Sequence, residues 1–325
     1  MSRELTDEIL SRYYDEKFPM DYFMSFIGLS NFQNREFGFV VGENRFVRNI
    51  SFSNTGELKN FMVQNSVRHA YVGAVYDKPP SKNNPIQKIK WQSREFIYDI
   101  DIDEYDLVRT CGCHGDVYCK DCWSLVQEAA LFIDETMKED FGFKEVIWFF
   151  SGRRGVHGWV MDKITKDFDQ SQRVAILNYL TFIHDEKRTQ SIEEIPNEAK
   201  PLRNRIYALV AKAFLDRATP DNLKEIGMSA RKANEIVSRI KTIENFDHNQ
   251  YNILIPNDTV IRNKLSEEFI LRRYPRIDRK VTMDTRRVSR MPYSIHGKTG
   301  QIAIEIKNIE KFYPDSAPTV WDTMI

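Results

Sequence analysis

The residues Glu95-Phe-Ile-Tyr-Asp-Ile-Asp-Ile-Asp103 alternate apolar and acidic side chains with the period of a strand. With Phe96, Tyr98, Ile100 and Ile102 turned to a core, Ile97, Asp99, Asp101 and Asp103 share the other face. Carboxylates two residues apart on one strand face repel, so the arrangement costs stability unless a cation neutralises it. Hard oxygen ligands around a partly hydrated Mg²⁺ or Mn²⁺ are the usual apparatus of phosphoryl transfer. The competing reading is an edge strand whose acidic face is simply solvated.

A second segment supplies what carboxylates lack. In Ser151-Gly-Arg-Arg-Gly-Val-His157 two glycines flank two arginines between apolar runs. The backbone can turn tightly there and expose N–H groups, while Arg153, Arg154 and His157 can meet phosphate oxygens through charge-assisted hydrogen bonds. Alone, such a turn is also what a soluble hairpin carries. Beside an acidic strand it points to a nucleoside triphosphate.

All four cysteines fall between positions 111 and 122. Clustering of this kind in a reducing compartment argues for metal rather than disulfides. Cys119 and Cys122 have the bite of a zinc knuckle, Cys111 and Cys113 can supply the second pair, and His114 is an alternative to Cys113. A tetrahedral zinc held by four thiolates has no open position and is structural. Unligated cysteines are the bland alternative.

The elements that must position these groups can be sketched from the same pattern. A helical stretch over 5–28 leads to strands near 35–41 and 45–52, a helix near 56–65 and a strand at 69–76. The Pro-rich run Lys78–Pro85 is a surface loop. The acidic strand and cysteine loop follow, then an amphipathic helix over 121–140 and paired strands at Glu145–Phe150 and Gly158–Val160. Residues 168–248 are predicted as a helical subdomain, with helices at Ser171–His184, Glu198–Ala218 and Ser229–Ile243. A hairpin is expected over Tyr293–Ile306. The expected fold is α/β (α+β), with mixed β-sheets flanked by helices, a zinc-binding loop, and a main domain made of 1–167 and 249–325.

Lysines and arginines equal aspartates and glutamates at 47 each, so net charge excludes nothing about a nucleic-acid partner. Between Arg272 and Lys298, however, nine basic residues face only Asp278 and Asp284. No apolar run approaches the roughly 20 residues that span a bilayer, and the first residues lack a signal-peptide core. An intracellular protein without a membrane is expected.

Taken together, Tyr98–Asp101, the cysteine loop, Met137-Lys-Glu-Asp-Phe-Gly-Phe143 and Ser151–Val160 resemble the catalytic small subunit of archaeal and eukaryotic DNA primases. The resemblance extends to Arg35-Glu-Phe37, Gly73–Tyr76, Pro275–Asp278 and Ser294–Gly300, covers most of the chain in order, and is closer to the eukaryotic branch. It implies a primase fold and RNA primer synthesis on single-stranded DNA from ribonucleoside triphosphates. It also implies that Asp99, Asp101 and Asp278 hold two catalytic Mg²⁺ or Mn²⁺ ions. The same resemblance assigns Ser151, Arg153, Arg154 and His157 to the nucleotide's phosphates, Arg290 and His296 to triphosphate and sugar, and Glu36 and Arg48 to further active-site positions. The zinc site falls on Cys111, Cys113, Cys119 and Cys122, and Asp103 is extra to the motif. A primase large subunit with an iron–sulfur cluster is the implied partner, with the DNA polymerase alpha complex beyond it and the nucleus as location in a eukaryote. A repair or end-joining polymerase of the same superfamily, and a silent zinc-containing nucleic-acid-binding subunit, are the alternative functions.

Overall fold

The computed structural model describes residues 4–180, 183–185, 188–189, 200–244, 246–265, 268–269 and 271–324. Its framework is two antiparallel sheets. The first contains β1 (Arg35–Val41), β2 (Arg45–Ile50), β3 (His69–Tyr76), β4 (Trp91–Ser93) and, from far along the chain, β10 (Ser289–Arg290). Their order is β10-β3-β1-β2, with β4 also on β3. The second sheet is β5 (Phe96–Asp101), β7 (Gly155–Val160) and β6 (Val146–Phe150), with β7 central. A small pair, β8 (Ile183–Asp185) and β9 (Arg188–Thr189), stands apart.

Alternation decides what covers each face. In the first sheet Phe37, Phe39, Ala70 and Val72 point to one side, into an aromatic core shared with Phe52, Phe23 and Phe26. That side is covered by α1 (Asp7–Arg12), α2 (Met20–Ile27) and α3 (Thr55–Gln64). Thr6 and Asn54 cap α1 and α3 by accepting from Ile9 N and Glu57 N. The other side of the first sheet carries Glu36, Gly38, Phe46, Arg48, Tyr71 and Arg290, by the strand register.

The second sheet lies between two cores. Phe96, Tyr98 and Ile100 pack with α4 (Lys120–Glu139) in one core, while Ile97, Phe149 and Trp159 join the aromatic core of the first sheet. After Ile97, the same face of β5 presents Asp99 and then Asp101, where the apolar cover ends. The segment 304–306 extends this sheet along β6, with Phe150 N donating to Ile304 O and Ile306 N to Trp148 O.

Short helices α5 (Lys163–Lys166) and α6 (Gln170–Leu180) lead into the helical part. It comprises α7 (Lys200–Arg217), α8 (Pro220–Glu225), α9 (Ala230–Arg239), α10 (His248–Leu254) and α11 (Thr259–Leu265). Their buried residues, Ile206, Leu223, Ile236 and Leu254 among them, are continuous with the core under α4. A three-residue turn of helix, α12 (Leu271–Arg273), and α13 (Arg279–Met283) bring the chain back to β5. Among the described residues no helix is long and apolar enough to cross a membrane.

Several expected boundaries shift. The helix expected over Ser171–His184 stops at Leu180, and His184 lies in β8. The start of the helix expected from Glu198 falls outside the described residues, and the one expected to Ile243 tightens into a 3-10 turn after Arg239. The expected hairpin over Tyr293–Ile306 forms in its inner part: Tyr293 N donates to Ala303 O, Ala303 N to Ser294 O and His296 N to Gln301 O around the 297–300 turn, with a bridge between Ile295 and Ile302. Its 304–306 end pairs with β6. Asp103 is not on the strand face. The chain leaves β5 at Asp101 and coils into a 3-10 turn at Ile102–Tyr105.

Candidate active site

Asp99 and Asp101 face His157 and Gly155 across the β5–β7 ladder. Gly155 is required there: a Cβ would sit 2.0 Å from Asp101 Oδ1 and 2.5 Å from Ile100 O. The turn before it is closed by Ser151, whose N–H donates to Gly155 O at 2.9 Å and whose Oγ accepts from Gly155 N at 3.1 Å. Gly152 adopts φ +85°, and a Cβ on it would press on His296 Cβ at 2.8 Å. Thr299 Oγ1 ties the turn down through Gly152 O at 2.6 Å.

Arg154 reaches back to the acidic strand, with Nε 3.2 Å from Asp101 Oδ2 and Nη2 2.9 Å from Asp103 Oδ2. Its Nη1 meets Asp116 Oδ1 at 2.9 Å, and Arg153 also contacts Asp116. Asp116 belongs to the cysteine loop, so that loop closes over the phosphate-type turn. His157 Nε2 lies 3.4 Å from Asp99 Oδ1. Burial, with the Arg290 charge acting the same way, holds His157 down to about 4, so its imidazole is neutral at pH 7 and acts as a hydrogen-bonding group rather than a charge.

Asp278 joins the pair through the backbone, its N–H donating to Asp99 O at 3.0 Å. It is also the N-cap of α13, with Oδ1 accepting from Lys280 N at 2.8 Å. Its Oδ2 is 3.8 Å from Arg287 Nη2. Burial first, and then the charge of Asp278, push Asp99 up to about 7. Burial and Asp99 raise Asp101 to about 6, against the pull of Arg154. Asp99 Oδ1 is buried with no hydrogen-bond partner.

On the far wall, Arg290 is held between two rings. Its guanidinium lies 4.8 Å from the Tyr71 ring centre, and its Nη1 is 2.7 Å from His69 Nδ1. His296 stands edge-on to His69 at 4.7 Å between ring centres, and burial and Arg290 drive it well below the usual imidazole range. Tyr71, Asp99, Asp101, Ser151, Arg153, Arg154, His157, Arg287, Arg290 and His296 together line one open, strongly charged cleft. That suits a small charged ligand. Glu36 and Arg48 are outside that lining. Arg48 grips the fully buried Glu36 through two bonds of 3.0 Å and donates to Arg286 O.

Sequence reasoning missed Arg287, Tyr71, His69 and Asp116, and also two buried arginines behind the site. Arg94 donates to Val281 O, Asp284 O and Ser289 Oγ at 2.8–3.1 Å, and Arg173 donates to Arg94 O and Glu95 O. They bolt α13, and with it Asp278, to the start of β5. A buried arginine leaves no trace in periodicity. Basic clustering around 272–298 was the only available hint for Arg287.

The four cysteines come together as expected. Their sulfurs all lie within 4.8 Å of one another, and among the described residues no other set of His, Cys, Asp or Glu ligand atoms is gathered that tightly. His114 is not in the set, nor are Asp99, Asp101 and Asp278. Cys119 caps α4, and the Cys122 backbone N–H first among its neighbours holds the Cys119 thiol down to about 7. Its sulfur is 3.9 Å from that of Cys122, close to the spacing about a tetrahedral metal with bonds of about 2.3 Å. The loop is shaped by Arg109, which contacts Asp106 and donates to Val117 O at 2.7 Å and Gly115 O at 3.2 Å. This cluster could hold a metal ion.

Residues 99–307 match the family model described as DNA primase small subunit. The chain is 28% identical to the DNA primase small subunit of Saccharomyces cerevisiae, over 95% of this chain and 83% of that protein. Against the one from Schizosaccharomyces pombe it is 27% identical, over 98% and 77%. Against the DNA primase small subunit PriS of Thermococcus kodakarensis it is 28% identical, over 97% and 93%. An acidic strand, a phosphate-type turn and a cysteine cluster in one cleft region, with these matches along the whole chain, have one common explanation: the chain belongs to the DNA primase small subunit family, whose chemistry is template-dependent nucleotidyl transfer.

Proposed function

We propose that the cleft is the nucleotidyl-transfer site of a primase that makes short RNA primers on single-stranded DNA. Asp99, Asp101 and Asp278 would hold two divalent ions, Mg²⁺ or Mn²⁺. The observation that carries this is Asp99 Oδ1, buried without a hydrogen bond and with His157 Nε2 no nearer than 3.4 Å, beside two further carboxylates with basic groups close by. A carboxylate oxygen buried without a donor is costly, and a hard cation is the partner that relieves it. Such ions would supply charge to acidify a 3′-hydroxyl and to stabilise departing pyrophosphate.

The chain's own groups do the rest. Arg153 and Arg154 bring fixed positive charge to the phosphates, which requires releasing Asp116. Ser151 and the 152–155 backbone shape the turn around them. His157 and His296, held neutral, orient oxygens by hydrogen bonds, and Arg290 adds charge from the opposite wall. This is positioning and electrostatic stabilisation, with no side-chain nucleophile. Glu36 and Arg48 act from behind, by fixing the 286–288 segment through Arg286 O. Zinc is the natural occupant of the cysteine cluster, where it would be structural.

The helical part around 168–248 is read as a subdomain appended to this catalytic body. The partner the family resemblance implies is a large subunit carrying an iron–sulfur cluster, and the four cysteines gathered at one site here leave none for such a cluster. In a eukaryote the pair would work in the nucleus with DNA polymerase alpha. The test is primer synthesis on single-stranded DNA from ribonucleotides with Mn²⁺ or Mg²⁺. The Asp99→Ala/Asp101→Ala double variant is expected to make no product. Equal product from it would sink the assigned mechanism, and a strong preference for deoxynucleotides and existing ends would point instead to a repair polymerase.

A further inference from the structure

The open side of the first sheet leads directly into the cleft. Across it stand Phe46 of β2, Tyr71 of β3 and Arg290 of β10, with Gly38 of β1 between the first two. The Phe46 and Tyr71 rings meet edge-on with centres 5.7 Å apart, and Arg290 covers the Tyr71 ring. Phe37 and Phe39, which point to the opposite side of this sheet, are completely buried, whereas Phe46 is 49% exposed. Gly38 between the two rings keeps the surface flat. A Cβ there would touch the Phe46 ring at 3.4 Å and Tyr71 Cβ at 3.6 Å.

The charge around these rings is one-sided. Glu36, the acid on this side, is neutralised by Arg48, while Arg290 and Lys298, with Arg153 and Arg68, which pair with Asp116 and Asp7, lie near His69. A half-exposed Phe46 ring, backed edge-on by a partly buried Tyr71 whose face carries Arg290, is the complement of a single nucleic-acid strand, whose bases stack on aromatics while its phosphates seek positive charge. Tyr71 lines the cleft and Phe46 does not. The base that Phe46 serves therefore belongs to a strand continuing beyond the cleft, not to a nucleotide held inside it.

We propose that Phe46 and Tyr71 form a stacking platform for the single-stranded template as it enters the cleft. The proposal rests on the cleft being the nucleotidyl-transfer site. It is tested on the full chain by fluorescence anisotropy with a labelled mixed-sequence single-stranded oligodeoxynucleotide, without nucleotide or divalent ion. Phe46→Ala is expected to weaken binding about tenfold, as loss of one stacked base would. Phe46→Trp should retain affinity, and the salt dependence should not change because no charge is removed. The nucleotide KM at saturating template should also be unchanged in Phe46→Ala.

Unaltered oligonucleotide affinity in Phe46→Ala overturns the proposal. So does a raised nucleotide KM with intact oligonucleotide binding, which would make Phe46 part of the nucleotide site. The Asp99→Ala/Asp101→Ala protein separates the two readings. It should bind the oligonucleotide like wild type while failing to synthesise, and if it still synthesises, the catalytic assignment fails whatever Phe46 does.

Discussion

Asp99 is half-buried beside two other acids, and its proton is hard to remove. In the folded chain it titrates near 7, against roughly 3.9 in an unfolded one. Between those values the folded state holds a proton that the unfolded state has lost. Stability from this group therefore falls as pH rises from about 4 to about 7, and the deficit persists above. Asp99→Asn is expected to stabilise the fold in metal-free buffer at pH 8 by on the order of 2 kcal/mol after allowing for partial solvent access, seen as a raised Tm. The advantage should fade towards pH 4, and primer synthesis should be lost. No gain in Tm at pH 8 would count against a strained acid pair. Asp116 makes a different demand on the site, because it occupies the arginines that a triphosphate needs. Asp116→Asn is expected to lower the nucleotide KM severalfold with kcat nearly unchanged, since it removes a competing anion and nothing from the reaction. An unchanged KM in steady-state assays would show that the pairing does not compete.

At the scale of elements, the close approach of β5 and β7 leaves no room at Gly155. Gly155→Ala should displace Asp101 or the strand, with a stability loss of about 1–3 kcal/mol and a larger proportional loss of synthesis. Retention of full activity at wild-type Tm would contradict the packing. Just before β5, Arg35 holds Glu95 through two bonds of 2.9 Å, both side chains being buried. Burial would raise the Glu95 carboxyl, but the Arg35 charge outweighs it and brings it down to about 2. Its stabilisation is present above the ordinary carboxylate range and is lost only as pH falls towards 2. Glu95→Ala strands a buried guanidinium and is expected to cost about 3–5 kcal/mol in urea titration.

Much of this was legible because it is local. Alternation placed Asp99 and Asp101 on one face, two glycines marked the 151–157 turn, and cysteine spacing marked the metal loop. Asp278 was visible only through family resemblance, since nothing around it in sequence says that its N–H will meet β5. The Tyr293–Ile306 hairpin was legible around its 297–300 turn, but its 304–306 end pairs with β6, and a local pattern cannot show that. Asp103 kept the alternating pattern by one residue beyond the strand that carries it.

For the whole molecule, the cysteine loop ties a cluster that could hold a metal to the cleft through Asp116 and to the helical part through α4. Stripping metal with a chelator, or replacing Cys119 by Ser, should each lower Tm, and the two should not add. Additive shifts would mean that the cysteines hold nothing. The open cleft must begin synthesis from two free nucleotides, so the isolated chain is expected to extend primers well and to start them poorly. Adding the large subunit should raise dinucleotide formation, and equal initiation without it would refute that division of labour. One backbone hydrogen bond, from Asp278 N to Asp99 O, has a further consequence for how the molecule comes into being. It joins segments separated by the entire helical part, the kind of distant pairing that forms slowly and late. During synthesis on the ribosome, β5 and the arginine turn emerge long before α13 exists to complete them. A nascent or prematurely ended chain is thus unable to polymerise, and competence is conferred only when its last portion has folded home.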